Sequence, residues 1–413
     1  MRLRIETIDG QARAATPAGE TLLVTRSIVQ ARYRVGRITF GGDLIDSRAI
    51  APMARTAATT TDVNAFEQVQ LFVAADLGDP KAKTLHGRLT IGRQVADVAS
   101  RRLLANDDYR NTTNGFTGAR LDLAGMADAT ATLFYLLPQQ RLPDDLDGVR
   151  AARVRLDREG FDTRIWGATL ARPVGGRVAL DVGAVRFEER DRPGRATRDR
   201  QLTTLTARIT APVAPGHLDT EIEVMRQTGS IAASIAPGAA RKPVAAWFGH
   251  ATVGYQWPTG WKPHVAVDAD YASGDRRTGT YERFDSLFGF RRADYAPSGL
   301  YNAVQRDNLI AVGPRLQTMP SKRLDTLLTV KKLWLASPVD GFATTGVVDA
   351  NGRSGRDAGW QVDSRLRFFT VPRRFMVEAD GVWLAKGRFL RTAPNRASRR
   401  DTVYAALAAT AFF

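Results

Sequence analysis

The stretch Leu-Val-Thr-Arg-Ser-Ile-Val-Gln-Ala-Arg-Tyr-Arg-Val, residues 23–35, decides the fold. Arg26, Gln30, Arg32 and Arg34 fall on one face of it. Leu23, Thr25, Ser27, Val29, Ala31, Tyr33 and Val35 fall on the other. A period of two belongs to a strand, whose successive side chains point to opposite sides. The tight link Gly36-Arg37 follows, and a second alternating run begins at once.

The same period recurs along the chain. Residues 84–91 set His86, Arg88 and Thr90 against Leu85, Leu89 and Ile91. Residues 361–369 set Gln361, Asp363, Arg365 and Arg367 against Val362, Leu366 and Phe368. The runs approach the roughly 9–11 residues that a tilted membrane strand needs. Their links alternate in length. Tight turns at 35–37, 173–176 and 212–216 take turns with polar stretches at 48–62, 138–160 and 274–305. In an up-and-down sheet every second connection lies on the same side, so one side is trimmed and the other elaborated. Outer-membrane barrels have that asymmetry, with short periplasmic turns and long outer loops.

The reading is therefore an all-β chain forming one transmembrane antiparallel up-and-down β-barrel over residues 1–413. About 18 strands are expected, at 1–9, 21–35, 37–48, 64–75, 84–96, 116–124, 128–137, 161–172, 177–190, 199–211, 217–228, 244–257, 262–273, 306–317, 322–336, 358–370, 373–386 and 401–413. Two runs are ambiguous. The faces of 177–189 do not separate cleanly, and 327–335 puts Lys331 and Lys332 on opposite sides. Aromatics near strand ends (Phe40, Tyr135, Trp166, Trp257, Trp261, Trp334 and Trp383) suit the girdles at the two membrane interfaces. No apolar leader precedes the first strand, so an exported barrel with this start is a mature or recombinant form.

Composition agrees without deciding. Mean hydropathy is −0.25, which fits alternating lipid-facing and lumen-facing residues. No stretch reaches the roughly 20 apolar residues of a spanning helix. The absence of cysteine removes disulfides, iron–sulfur clusters and thiol catalysis. Lys and Arg number 59 against 43 Asp and Glu, a formal charge of +16, and only eight of the cations are Lys. Arg keeps its charge when partly desolvated and grips planar anions with a rigid fork.

On the strands, the inward candidates are Arg26, Arg32, Arg34, Arg88, Arg93, Arg120, Arg208, Arg365 and Arg367, with Asp363, Glu221, Glu223, Glu378 and Asp380 among them. Rings of Arg favour anions, and interspersed carboxylates hold the guanidinium groups while keeping a passing polyanion from binding too tightly. A plain lumen ion pair is the commoner role for any one of them. The longest connection, 274–305, is expected to fold over or into the outer mouth as a gate.

Several segments together resemble the alginate export family of outer-membrane barrels. They are Gly92-Arg93-Gln94, the strand 133–138, Arg164-Ile165-Trp166-Gly167-Ala168, and His217-Leu218-Asp219 with Glu221. The specific part is Asp270-Tyr271-Ala272-Ser273-Gly274-Asp275, then Phe284-Asp285-Ser286-Leu287-Phe288, then Asn308-Leu309. Leu333-Trp334-Leu335-Ala336, Gly355-Arg356-Asp357 and Phe389-Leu390-Arg391 follow in order. The resemblance implies an 18-stranded monomeric barrel whose Arg-lined lumen passes anionic polysaccharide outward. It marks Asp275, Phe284, Asp285 and Phe288 as gating-loop residues. Gly289 stands where family members often carry Pro, and the last strand is unusually Ala-rich.

The expected function is a passive, anion-favouring channel in the bacterial outer membrane for an acidic polysaccharide or oligosaccharide. The alternative is a porin for other small anionic solutes. A barrel enzyme acting on lipid or surface glycan is a third reading, but no Ser-His-Asp order or paired carboxylates on a recognisable scaffold carry it. No cofactor and no metal are expected. His86, His217, His250 and His264 are scattered over separate runs, and 106–108 and 143–147 read as solvated outer loop. The expected partners are the anionic solute, outer-membrane lipid and lipopolysaccharide, and the barrel-assembly machinery that reads a terminal aromatic such as Phe413. Nucleic acid is not among them.

Overall fold

The computed structural model describes residues 1–79, 81, 84–125, 128–292 and 294–413. The alternating runs become β1 (Arg2–Asp9), β2 (Glu20–Val35), β3 (Ile38–Ile50), β4 (Asn64–Leu77), β5 (His86–Gln94), β6 (Phe116–Ala124), β7 (Thr130–Pro138), β8 (Thr163–Gly175), β9 (Val178–Glu189), β10 (Gln201–Ala211), β11 (Leu218–Ala232), β12 (Arg241–Gln256), β13 (His264–Ala272), β14 (Leu309–Ser321), β15 (Leu324–Trp334), β16 (Asp357–Val371), β17 (Phe375–Lys386) and β18 (Thr402–Ala411). The loops carry two short helices, α1 (Leu146–Arg150) and α2 (Arg388–Thr392). Each strand pairs antiparallel with the next, and β18 returns to β1, so the 18-stranded sheet closes. Ile5 lies opposite Leu407 across that closure, and the amino terminus donates to the Ala411 carbonyl at 2.8 Å.

Register fixes the two faces. Leu3, Ile5, Val29, Val73, Ile91, Leu205, Ile222, Val267 and Leu407 stand exposed on the outside. Arg4, Glu6, Gln227, Asp268 and Gln361, at the opposite parity, are buried inside. Phe40, Tyr135, Trp257, Trp261 and Trp383 stay exposed near the ends of this apolar band, where amphipathic rings sit at a membrane interface. Both termini lie at the end with the tight turns. Gly36 makes the β2–β3 turn with φ +58°, a conformation that costs an L side chain but not glycine.

The other end is filled. Segments 95–115, 273–292 and 294–308 fold back inside the barrel, and the strand walls around them turn apolar inward. Phe116, Phe187 and Phe248 are fully buried. Phe288 meets Phe116 edge-on at 5.4 Å and Phe187 at 6.0 Å, and Phe284 stacks on Phe248 at 5.5 Å. Gly299, at φ +83°, lies against the Glu6 carboxylate, where a Cβ would approach Oε2 to 2.6 Å.

This packing accounts for both ambiguous strands. In β9, Phe187 points in toward the loops, while Arg186 shares the outward parity of exposed Val182 and Ala184. In β15, Lys331 is fully buried inside. Lys332 faces outward between the rings of Trp334 and Trp360, at 5.6 and 5.5 Å, and pairs with Asp357.

Outward position thus sets the cost of a charge. Ile5→Arg, in the middle of β1, is expected to destabilise the barrel by about 2–4 kcal/mol, against about 0–1 kcal/mol for Leu218→Arg at the turn end of β11. Equilibrium unfolding of each variant from lipid vesicles measures the difference.

Candidate functional site

The interior divides into two levels. Toward the tight-turn end the wall is open and polar. Arg32 reaches Asp43 at 2.5 Å, Arg120 reaches Asp122 at 2.9 Å, and Arg208 bridges Asp181 and Glu221 at 3.1 and 2.9 Å. Asp76 is shared by Arg34 and Arg88 at 2.8 and 2.5 Å. Asp325 is shared by Arg367 and Arg365 at 2.9 and 3.7 Å. Three of these pairs form because inward residues of neighbouring strands lie opposite one another in the ladder, Asp76 with Arg88, Asp181 with Arg208 and Asp325 with Arg367, whereas Arg120 and Asp122 are two apart on β6. Seven guanidinium groups, those of Arg32, Arg34, Arg88, Arg120, Arg208, Arg365 and Arg367, thus face six carboxylates, Asp43, Asp76, Asp122, Asp181, Glu221 and Asp325.

Toward the loop end the charges are buried and tie the loops to the wall. Arg292 of segment 273–308 grips Asp363 of β16 at 2.7 Å and Asp380 of β17 at 2.6 Å. Tyr109 of segment 95–115 donates to the other Asp380 oxygen at 3.0 Å. Arg102 joins Glu223 of β11 at 2.8 Å, Glu221, and Asp294 of the longer loop at 2.8 Å. Arg306 also holds Asp294, and Lys331 donates to the Asp294 carbonyl at 2.8 Å while lying 3.2 Å from Asp268. Arg93 spans Glu67 and Glu159, each at 2.7 Å. Burial penalises each ion separately, so these groups are held charged only as pairs.

A smaller set of guanidinium groups ends on carbonyls. Arg2 donates to the carbonyls of Tyr109 and Arg110 at 3.0 and 2.7 Å, and Arg26 to those of Asp108 and Arg110, both at 2.9 Å. Arg141 donates to Thr60 and Thr113 carbonyls and to Asn114 Oδ1. Among the described residues these three have no carboxylate within ion-pair distance. Burial, then the neighbouring Arg110, pushes Arg141 down to about 9, and burial with Arg110 pushes Arg291 down to about 10. Both are still protonated at neutral pH.

Of the marked loop residues, Phe284 and Phe288 pack in the aromatic core and Asp285 pairs with Arg200 at 2.5 Å. Asp275 lies higher in the loop, its N–H donating to Asp340 at 2.9 Å. The reading of 106–108 as solvated loop holds for Asp108, which is exposed, but not for Asp107. Asp107 is buried and pairs with Arg110 at 3.2 Å, because segment 95–115 folds into the barrel. Residues 143–147 stay largely exposed, with Asp145 capping α1.

His250 and His264 are buried against Asp270 and Asp219 at 2.7 and 2.8 Å. Thr252 lies 2.9 Å from the second His250 nitrogen, but its hydroxyl also donates to Asp268 at 2.9 Å, inside a network closed by Lys331. The strand pattern did not single out Arg102, Arg292 or Arg306. Arg102 and Arg292 carry one sequence signal, the paired arginines 101–102 and 291–292 that interrupt two of the long connections, and Arg306 carries none.

The fold is that of known outer-membrane channels. Pseudomonas aeruginosa OccK3 (OpdO) aligns over 100% of this chain and 95% of its own, at TM-score 0.59 and 13% identity. Acinetobacter baumannii OccAB1 aligns over 100% and 95%, at 0.60 and 12%. P. aeruginosa OccK2 (OpdF), solved in complex with glucuronate, aligns over 100% and 97%, at 0.58 and 15%. No curated protein sequence matches the chain. The model of the alginate export family matches residues 1–404, essentially the whole barrel described above, and the chain belongs to that family.

Proposed function

We propose that this barrel lies in the bacterial outer membrane with its long loops outward and passes acidic oligosaccharide or polysaccharide passively, favouring anions over cations. The observation that carries the reading is the turn-end wall, where Asp76 and Asp325 are each shared by two guanidinium groups. Sharing holds the arginines extended, as a bidentate pair would, yet leaves net positive charge facing the water. A low-dielectric wall then focuses that charge into the lumen. The channel reading assigns these residues to transport and none to catalysis.

A second reading, a porin for small anionic solutes, is favoured by the size of the loop-end cavities. One of about 350 Å3 is lined by Arg195, Arg198, Arg200 and Tyr281, a volume on the scale of a small ligand. The OccK2 structure with glucuronate gives that reading a precedent in a related architecture. Liposome swelling separates the two: comparable rates for a monomeric and an oligomeric uronate support the polysaccharide path, and exclusion of the oligomer supports the porin.

In this proposal segment 273–308 is the gate and Arg292 its latch. Arg292→Ala leaves Asp363 and Asp380 buried without their cation, a loss on the order of 3–5 kcal/mol. The variant is expected to fold, to expose the loop to protease, and to raise single-channel conductance in planar bilayers.

Charge reversal tests selectivity directly. Arg34→Glu with Arg88→Glu should lower the chloride-over-potassium permeability ratio by about two-fold or more, measured from reversal potentials. A cation-selective wild-type channel would sink the proposal.

The loop end also carries a titratable contact. Asp157, in the connection after β7, accepts from the Leu142 N–H and the Asn64 amide, both at 2.9 Å. Burial, then Glu67, raises it from 3.8 to about 7. The docked loop therefore holds a proton that the released loop gives up. Docking is favoured at acid pH, and the contribution is lost progressively as pH rises from 3.8 to about 7. Protease cleavage within segment 139–162 is expected to increase between pH 4 and pH 7 in the wild type and to flatten in Asp157→Asn.

A further inference from the structure

The outward face of β7–β12 combines a groove and a cationic rim that the channel reading does not use. Ala168 and Ala184 lie opposite one another on β8 and β9. Their small side chains floor a cavity of about 550 Å3 walled by Leu133, Leu170, Val182 and Leu205. A shallow apolar groove in a lipid-facing wall fits an acyl chain.

Immediately toward the loop end, the next outward residues are Trp166 and Arg186, themselves opposite one another. Arg186 and Arg164 clamp the two oxygens of a single carboxylate, Glu188, at 2.9 and 2.7 Å. Arg226 lies beside Leu205 at the far wall of the groove, its guanidinium 4.5 Å from the Trp247 ring. Among the described residues Arg226 has no carboxylate partner. Three guanidinium groups therefore border the groove against one carboxylate. Each holds its charge at the level where aromatic rings mark the membrane interface.

We propose that this face binds a phosphorylated, acylated lipid of the outer leaflet, of the lipopolysaccharide kind. One acyl chain lies over Ala168 and Ala184, one phosphate faces Arg164 and Arg186, and a second, across β10, faces Arg226. A zwitterionic lipid would fill the groove but gain little from the rim, and a free anion would gain the rim but leave the groove empty. The occupant that satisfies both carries a chain and a net negative headgroup. The assignment rests on the placement of the long loops at the outer leaflet.

Native mass spectrometry of the full-length, delipidated barrel titrated with diphosphorylated lipid A tests this. The wild type is expected to hold one adduct that survives millimolar inorganic phosphate. Arg186→Gln with Arg226→Gln should weaken it by about tenfold or more, and Ala184→Phe, which fills the groove without touching charge, should weaken it as well. A heat-modifiable gel shift shows that each variant is folded. Unchanged adduct in either variant, or displacement by inorganic phosphate, overturns the proposal. Ion selectivity, read on the same samples, stays at the wild-type value because these side chains face away from the lumen, so failure here is distinguishable from failure of the channel reading.

Discussion

Closure of β18 onto β1 is the constraint on which everything else depends. A lipid-facing strand has no water to satisfy its N–H and C=O groups, so a sheet can cross a membrane only without an edge. The pairing of residues 2–9 with 403–410 supplies the last ladder. It makes the outside a continuous apolar band and the inside an enclosed polar space. It also commits the loops: whatever is longer than a turn must stand in water or fold into the barrel.

Segments 95–115, 273–292 and 294–308 fold in, and that choice sets the electrostatics. A carboxylate facing an open lumen keeps water and needs no partner. Once covered, it must be paired, and the loops bring the cations themselves. Arg292 arrives opposite two acidic residues on adjacent strands, and Arg102 opposite two on β11 and a third, Asp294, in the longer loop. The cost of leaving any one of these charges alone makes the docked arrangement specific. The tight-turn end is not covered. There the arginines remain partly exposed and two pairs of them share an acid, so the charge that faces water and the charge that fixes the architecture are separated along the barrel axis.

The strand pattern was legible because period two survives wherever one face meets lipid and the other meets water. It blurred at β9 and β15 for a definite reason. Near the loop end Phe187 faces packed loops rather than water, and Arg186 and Lys332 face an interface rather than hydrocarbon. The inward set on the strands could be read by parity alone. Arg102, Arg141 and Arg306 could not, since a loop has no period to say which way a side chain points. Asp107 shows the same failure in the other direction: an acidic run in a long connection reads as solvated until the connection is seen to be buried.

The sequence by itself determined the strand number, the faces of the strands, the side that carries the long loops and the family. The first three follow from local alternation and from the spacing of turns, and the family from the segments that resemble it. Only the tertiary structure decided that two loops occupy the barrel, which arginines are bound to acids and which to carbonyls, and where the unshared positive charge lies. Those outcomes depend on contacts between residues far apart in the chain, such as Arg292 with Asp363 and Asp380. Their energies exist only once closure has placed the strands around the loops.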